Sequence, residues 1–159
     1  KSFVSNNYWH FDVEDNAFAL MRNASGQVAM LHSSATQWEH RFQMHIALTE
    51  GYLELRGILS GTKSYGEEQL IIGKRSESHM GTLEKEIITY LEDNSWRDEI
   101  NDFASAIIDT EKDTYGNSND ALETMKLVYR VYYADNAWRE IYKIPDPDRL
   151  REMIGGQSL

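Results

Sequence analysis

The apolar residues keep one period up to about residue 90 and another afterwards, and this single switch limits the folds open to the chain. In the front half Phe42, Met44, Ile46 and Leu48 alternate with Gln43, His45 and Ala47, the period of a strand with one buried face. Tyr52, Glu54 and Arg56 then fall on one side of a strand, and Leu53 and Leu55 on the other. In the back half Ile100, Phe103, Ala104, Ile107 and Ile108 recur at helical spacing and form one apolar stripe. Strands followed by helices predict an α+β fold: a mostly antiparallel open sheet of about six strands with helices packed on one face. The other face is then available for oligomerisation.

Turn and cap residues place the elements. Strands are expected over 17–22 and 28–33, joined by the hairpin signal Asn23-Ala-Ser-Gly26. Further strands are expected over 42–48, over 52–56 after the turn Thr49-Glu50-Gly51, and over 69–74 and 83–90. Ser95 followed by Asp98 predicts a helix start with Ser95 as the cap. A turn over 112–116 follows, and Ser118 caps a longer helix whose stripe runs through Leu122, Met125, Tyr129, Tyr132 and Tyr133 towards Trp138. Ile144-Pro145-Asp146-Pro147 stops it, and Asp146 with Pro147 starts a short helix ending at Gly155. Residues 1–144 thus read as one domain and 145–159 as a tail with a short helix.

Composition removes several function classes. The sequence contains no cysteine, so it has neither disulfides nor a thiolate metal site. A formal net charge of −10 opposes binding to a phosphate backbone, so no nucleic-acid partner is expected. No apolar run reaches the roughly 20 residues of a membrane span. The start at Lys1 resembles no signal peptide, so a cytoplasmic protein with a further segment upstream is expected. The acidic residues between Glu84 and Glu123 read as a solvated surface.

No complete catalytic motif can be written. The glycines give no dinucleotide fingerprint, and Gly61 and Gly66 have P-loop spacing but are followed by Glu67 where a lysine is required. His10, His32, His40, His45 and His79 show no metal-ligand spacing and read as strand-surface or core residues, so no metal is expected. Ser33, Ser34, Ser60 and Ser64 lack a nucleophile elbow. Asp12, Glu14 and Asp15 can supply a carboxylate pair, but a polar lead-in to a strand explains them more simply. Asn23-Ala-Ser25 matches a glycosylation sequon and reads as a turn.

Two polar loops at strand ends remain, one over 33–41 and one over 60–68. Trp38 and Tyr65 offer flat faces to a sugar ring, and Gln37, Arg41, Lys63 and Ser64 offer hydrogen bonds to hydroxyls or phosphate. The same aromatics suit a sheet edge or a subunit interface equally well.

Four segments carry a family resemblance. Glu14-Asp-Asn-Ala-Phe-Ala-Leu-Met-Arg-Asn-Ala-Ser-Gly26, Ser34-Ala-Thr-Gln-Trp38, Gly51-Tyr-Leu53 and Ser64-Tyr-Gly-Glu-Glu68 follow one another in order. Over residues 12 to 140 the chain resembles the C-terminal domain of the glucose–fructose oxidoreductase / inositol dehydrogenase (Gfo/Idh/MocA) family. The loops are most similar to members acting on sugars or nucleotide sugars. The resemblance implies an NAD- or NADP-binding Rossmann domain outside this chain, and a homo-oligomer, normally a homodimer, formed through the sheet domain. It implies hydride transfer between a sugar carbon and the nicotinamide, assisted by a lysine of a Glu-Lys-Pro motif and a His/Asp pair.

The chain has no Glu-Lys-Pro motif, and His10 and Asp12 lie too close to the first strand to be that pair. No catalytic and no cofactor-binding residue is therefore assigned to it. The expected role is the substrate-binding and oligomerisation domain of an NAD(P)-dependent sugar oxidoreductase, inactive by itself. A non-enzymatic sugar-binding or dimerisation module stands as the alternative. Within the family, glycoside cleavage through transient oxidation is a third.

Overall fold

The computed structural model describes residues 1–76, 82–109, 113–147 and 149. The fold is α+β, with seven antiparallel strands and three helices among these residues. The strands form two sheets, where one of about six strands was expected. The first sheet joins β1 (Ser2–Ser5), β2 (Asn16–Arg22) and β3 (Val28–Ser34) in that order. The second joins β4 (Gln43–Leu48), β5 (Gly51–Arg56), β6 (Glu68–Arg75) and β7 (Leu83–Tyr90). The loop over 35–42 carries the chain out of β3 without pairing it to β4, which accounts for the division.

β1 escaped the sequence reading because Ser2-Phe-Val-Ser5 is too short and too polar to show a period. It is fixed from outside instead. Its register pairs Ser2 with Ala19, and the Ser2 hydroxyl donates to the carbonyl of Val131. By compactness the chain divides into two units, 1–37 with 113–159, and 38–112.

In the first unit α2 (Ser118–Ala134) packs on β1 and against α3 (Asn136–Tyr142). The residues beneath are small: Ser2, Ala17 and Ala19 are buried, together with Val131 and Trp138 from the helices. Small side chains let a helix approach a sheet closely, so that burial costs little strain. The longer helix expected to run from Ser118 past Trp138 is broken at Asp135. There the backbone turns extended, and the carboxylate accepts from the amides of Val4 and Trp138. Capping an α3 start and a strand amide with one side chain outweighs an unbroken helix. The buried face of α2 carries Val131, whereas Leu122, Met125 and Tyr129 of the expected stripe are half exposed.

The cap of α2 is Asn117, whose side chain accepts from the amides of Asn119 and Asp120, rather than Ser118. Likewise α1 (Ser95–Ile108) starts at Asn94, and it is Asp93 that accepts from the Ser95 amide and hydroxyl. Ser95 is thus a donor to a cap-like carboxylate and not the cap. Two hydrogen bonds hold that Asp93 carboxyl below its ordinary value. The apolar stripe of α1 exists, but Ile100, Phe103 and Ile107 are about 60% exposed or more. Pro147 and Arg149 are helical, and the other positions of the helix expected towards Gly155 lie outside the described residues, as does His79.

Candidate functional site

The second sheet separates its residues by face as alternation requires. Residues paired across the strands put Met44, Leu55, Leu70 and Ile88 in one row, and Ile46, Leu53 and Ile72 in the next. The opposite face is polar at the end nearest the long loops. There Gln43, Arg56, Gln69 and Thr89 form a single row across four strands. Behind it lie His45, Glu54 and Ile71, then Tyr52 over Gly73. A Cβ on Gly73 would fall 2.1 Å from the Tyr52 ring, and His45 stacks on the same ring at 5.0 Å.

The row Gln43, Arg56 and Gln69 floors a concavity of about 1000 Å³, walled by residues 38–42 and 63–67. Five of the six residues proposed from sequence meet in this lining: Trp38, Arg41, Lys63, Ser64 and Tyr65. Gln37 lies outside it and belongs to the other unit. The two loops touch through a residue the sequence reading had set aside. His40 Nδ1 and Ser64 Oγ are 2.7 Å apart, and the imidazole stacks on Tyr65 with ring centres 4.9 Å apart. Hydroxyls continue the chain, from Ser64 to Thr62 at 2.9 Å and on to Ser60 at 3.3 Å.

Local backbone holds the second loop in shape. Gly57 has φ +67°, and a Cβ there would sit 2.1 Å from the carbonyl oxygen of Glu67, so only glycine lets the loop's two ends close. The Gly57 amide donates to Phe42, and the Leu59 amide donates to the Glu68 carboxylate. Lys63 is left-handed at φ 54° between two tight turns, in which its amide donates to Ser60 and its carbonyl accepts from Gly66. Strain at a side chain of this kind concentrates at ligand sites.

Glu54 organises the floor. Its carboxylate is 5% exposed but shallow, and both oxygens are taken: Arg56 donates Nε to one at 2.8 Å and Nη2 to the other at 3.0 Å, and Gln43 donates to the first. The Arg56 hydrogen bonds, then that of Gln43, outweigh desolvation and hold the Glu54 carboxyl below its ordinary value. The same pair raises Arg56. A carboxylate gripped by a guanidinium fork is a strong, directional contact.

The remaining candidates are structural. Asp15, in the carboxylate cluster, is buried and accepts from the amides of Tyr8 and Trp9 and from Ser5 and Asn16. Burial pushes its carboxyl up, but these bonds together bring it below the usual value. His32 stacks on Phe18, and His10 lies in a left-handed turn whose amide donates to Asn6. Asn23 closes the hairpin by accepting from the amides of Gly26 and Gln27.

The site therefore offers two stacking faces, a hydroxyl–imidazole chain, and a guanidinium fixed on a floor of amides. That set suits a ring bearing hydroxyls. No family model, no curated protein and no solved structure matches the chain. No helix among the described residues is long and apolar enough to cross a membrane.

Proposed function

We propose that this chain is the substrate-binding and oligomerisation part of an NAD(P)-dependent sugar or nucleotide-sugar oxidoreductase. The observation that carries the reading is the meeting of residues 38–41 and 63–67 above the row of Gln43, Arg56 and Gln69. Loops read separately as sugar-binding thus supply one lining. The sugar ring stacks on Trp38 or Tyr65, and its hydroxyls exchange hydrogen bonds with Ser64, His40, Gln43 and Gln69. These residues bind and orient; none is assigned a proton-transfer step.

The nicotinamide would supply hydride chemistry from outside this chain. Calorimetry should show sugar binding by this chain and no NAD binding, and tight NAD binding would overturn the reading.

Self-association rests on the uncovered sheet faces. Phe3, Phe18, Leu20, Val28 and Met30 share the face of the first sheet away from α2 and are 47–81% exposed. Contiguous apolar surface of this kind marks an interface. Sedimentation should give a dimer or larger, dispersed by Met30→Glu; a monomer at high concentration would contradict it.

A further inference from the structure

We propose that Arg56, oriented by Glu54, anchors an anionic substituent on the bound sugar; this rests on the sugar-binding reading above. The side-on edge of the guanidinium, Nε with Nη2, is spent on the two Glu54 oxygens. Among the described residues nothing takes the end-on edge, Nη1 with the second Nη2 hydrogen, and the side chain is 53% exposed in the lining of the concavity. Arginine presents five donors in a rigid fork, so an edge freed in this way still takes a carboxylate or phosphate bidentately. Glu54 is a positioning residue here. It holds the guanidinium in one plane, and Gln43 in turn holds Glu54.

Two further cations, Arg41 and Lys63, line the same concavity. Among the described residues Arg41 and Lys63 make no ion pair, although Glu39 and Glu67 share the same lining. Glu67 instead accepts from Gln69, at 3.3 Å. On a chain of net charge −10, a concavity that leaves two cations unpaired and directs a third is set up for a negative ligand group. The shared chemistry is a planar or tetrahedral oxyanion beside sugar hydroxyls, as in a uronate or a sugar phosphate.

Titration of the chain with glucose, glucuronate and glucose 6-phosphate tests this. At least one charged sugar should bind about tenfold or more tightly than glucose, the usual gain for a charge-assisted contact. Its affinity should fall with added salt while that of glucose does not. The preferred anion identifies the source, carboxylate or phosphate.

Arg56→Lys keeps the charge but loses the fork, and should erase most of the preference for the charged sugar over glucose. Glu54→Gln should do the same through misorientation, a selective loss that a merely structural role would not produce. Lys63→Gln, at an exposed loop position, should weaken the charged ligand and flatten its salt dependence even if the floor variants fold poorly. Equal binding of all three sugars would overturn the inference and leave the sugar site standing. Binding of none would overturn the sugar site itself.

Discussion

Among the described residues two carboxylates are shut away from water, one in each compact unit, and they hold different things. Asp15 in the first unit takes the amides of Tyr8 and Trp9, so it fixes backbone. Glu54 in the second takes the side chains of Arg56 and Gln43, both of which line a concavity. Fixing backbone secures a fold, whereas fixing exposed donors sets their orientation in the lining of the concavity. The rest of each unit follows the same division. The first buries small residues and Trp138 under helices, and the second places its polar side chains around a cleft.

The largest expected effect breaks the packing side of this contrast. Trp138 is 6% exposed and packs against Tyr132 and Tyr142, so Trp138→Ala should cost about 3–5 kcal/mol in chemical denaturation. A loss under about 1 kcal/mol would mean that α3 does not seal the first unit. Gly57→Ala comes next. It places a Cβ against the Glu67 carbonyl at positive φ, and should cost roughly 1–3 kcal/mol while abolishing sugar binding. Wild-type binding in that variant would show that the loop closure does not shape the site.

Acid and alkali separate the units more gently. Asp15 and Glu54 have folded values below their ordinary 3.8 and 4.5, so the unfolded chain takes up protons first as pH falls. Their stabilisation is complete above about pH 5 and is lost as pH drops through the folded values. Asp15→Asn and Glu54→Gln should each flatten part of that acid slope in a pH series of denaturation midpoints. Burial, then the hydrogen bond and charge of Glu14, raise Tyr132 from 10.0 to about 12. Being protonated in the fold, Tyr132 stabilises fully below pH 10 and loses its contribution between pH 10 and 12, which Tyr132→Phe should remove.

The smallest effect on stability is also the sharpest for function. Trp38 is 97% exposed, so Trp38→Ala should change stability by less than about 0.5 kcal/mol. Sugar affinity should still fall, by about 1 kcal/mol if the indole stacks on the ring. A stability loss without an affinity loss would return Trp38 to a packing role.

Much of the second sheet was legible because its first turn counts residues. Thr49-Glu50 joins β4 and β5 with Leu48 opposite Gly51, and that register puts Gln43 opposite Arg56. The polar parity of Gln43, Glu54 and Arg56 was visible in the alternation, but their meeting with Gln69 was not. The loop between β5 and β6 is too long to fix a register by counting. His40 and Ser64 are far apart in sequence and follow no motif, so only the folded loops bring them together. The cap of α2 was misplaced by one residue because asparagine and serine compete for the same role in Asn117-Ser118, whereas at α1 the Asp93 carboxylate takes the Ser95 amide and hydroxyl. The break at Asp135 was hidden because its cause, the Val4 amide, lies at the other end of the chain.

The central claim is that residues 38–41 and 63–67, with the row of Gln43, Arg56 and Gln69, form one sugar site. Amide and indole NMR shifts, followed while glucose 6-phosphate or glucuronate is added, address it most directly. The account predicts perturbations at the Trp38 indole, the Gln43 and Gln69 side-chain amides and the Gly66 backbone, with α2 and α3 unmoved. Shifts confined to the first unit, or none at saturating ligand, would contradict it.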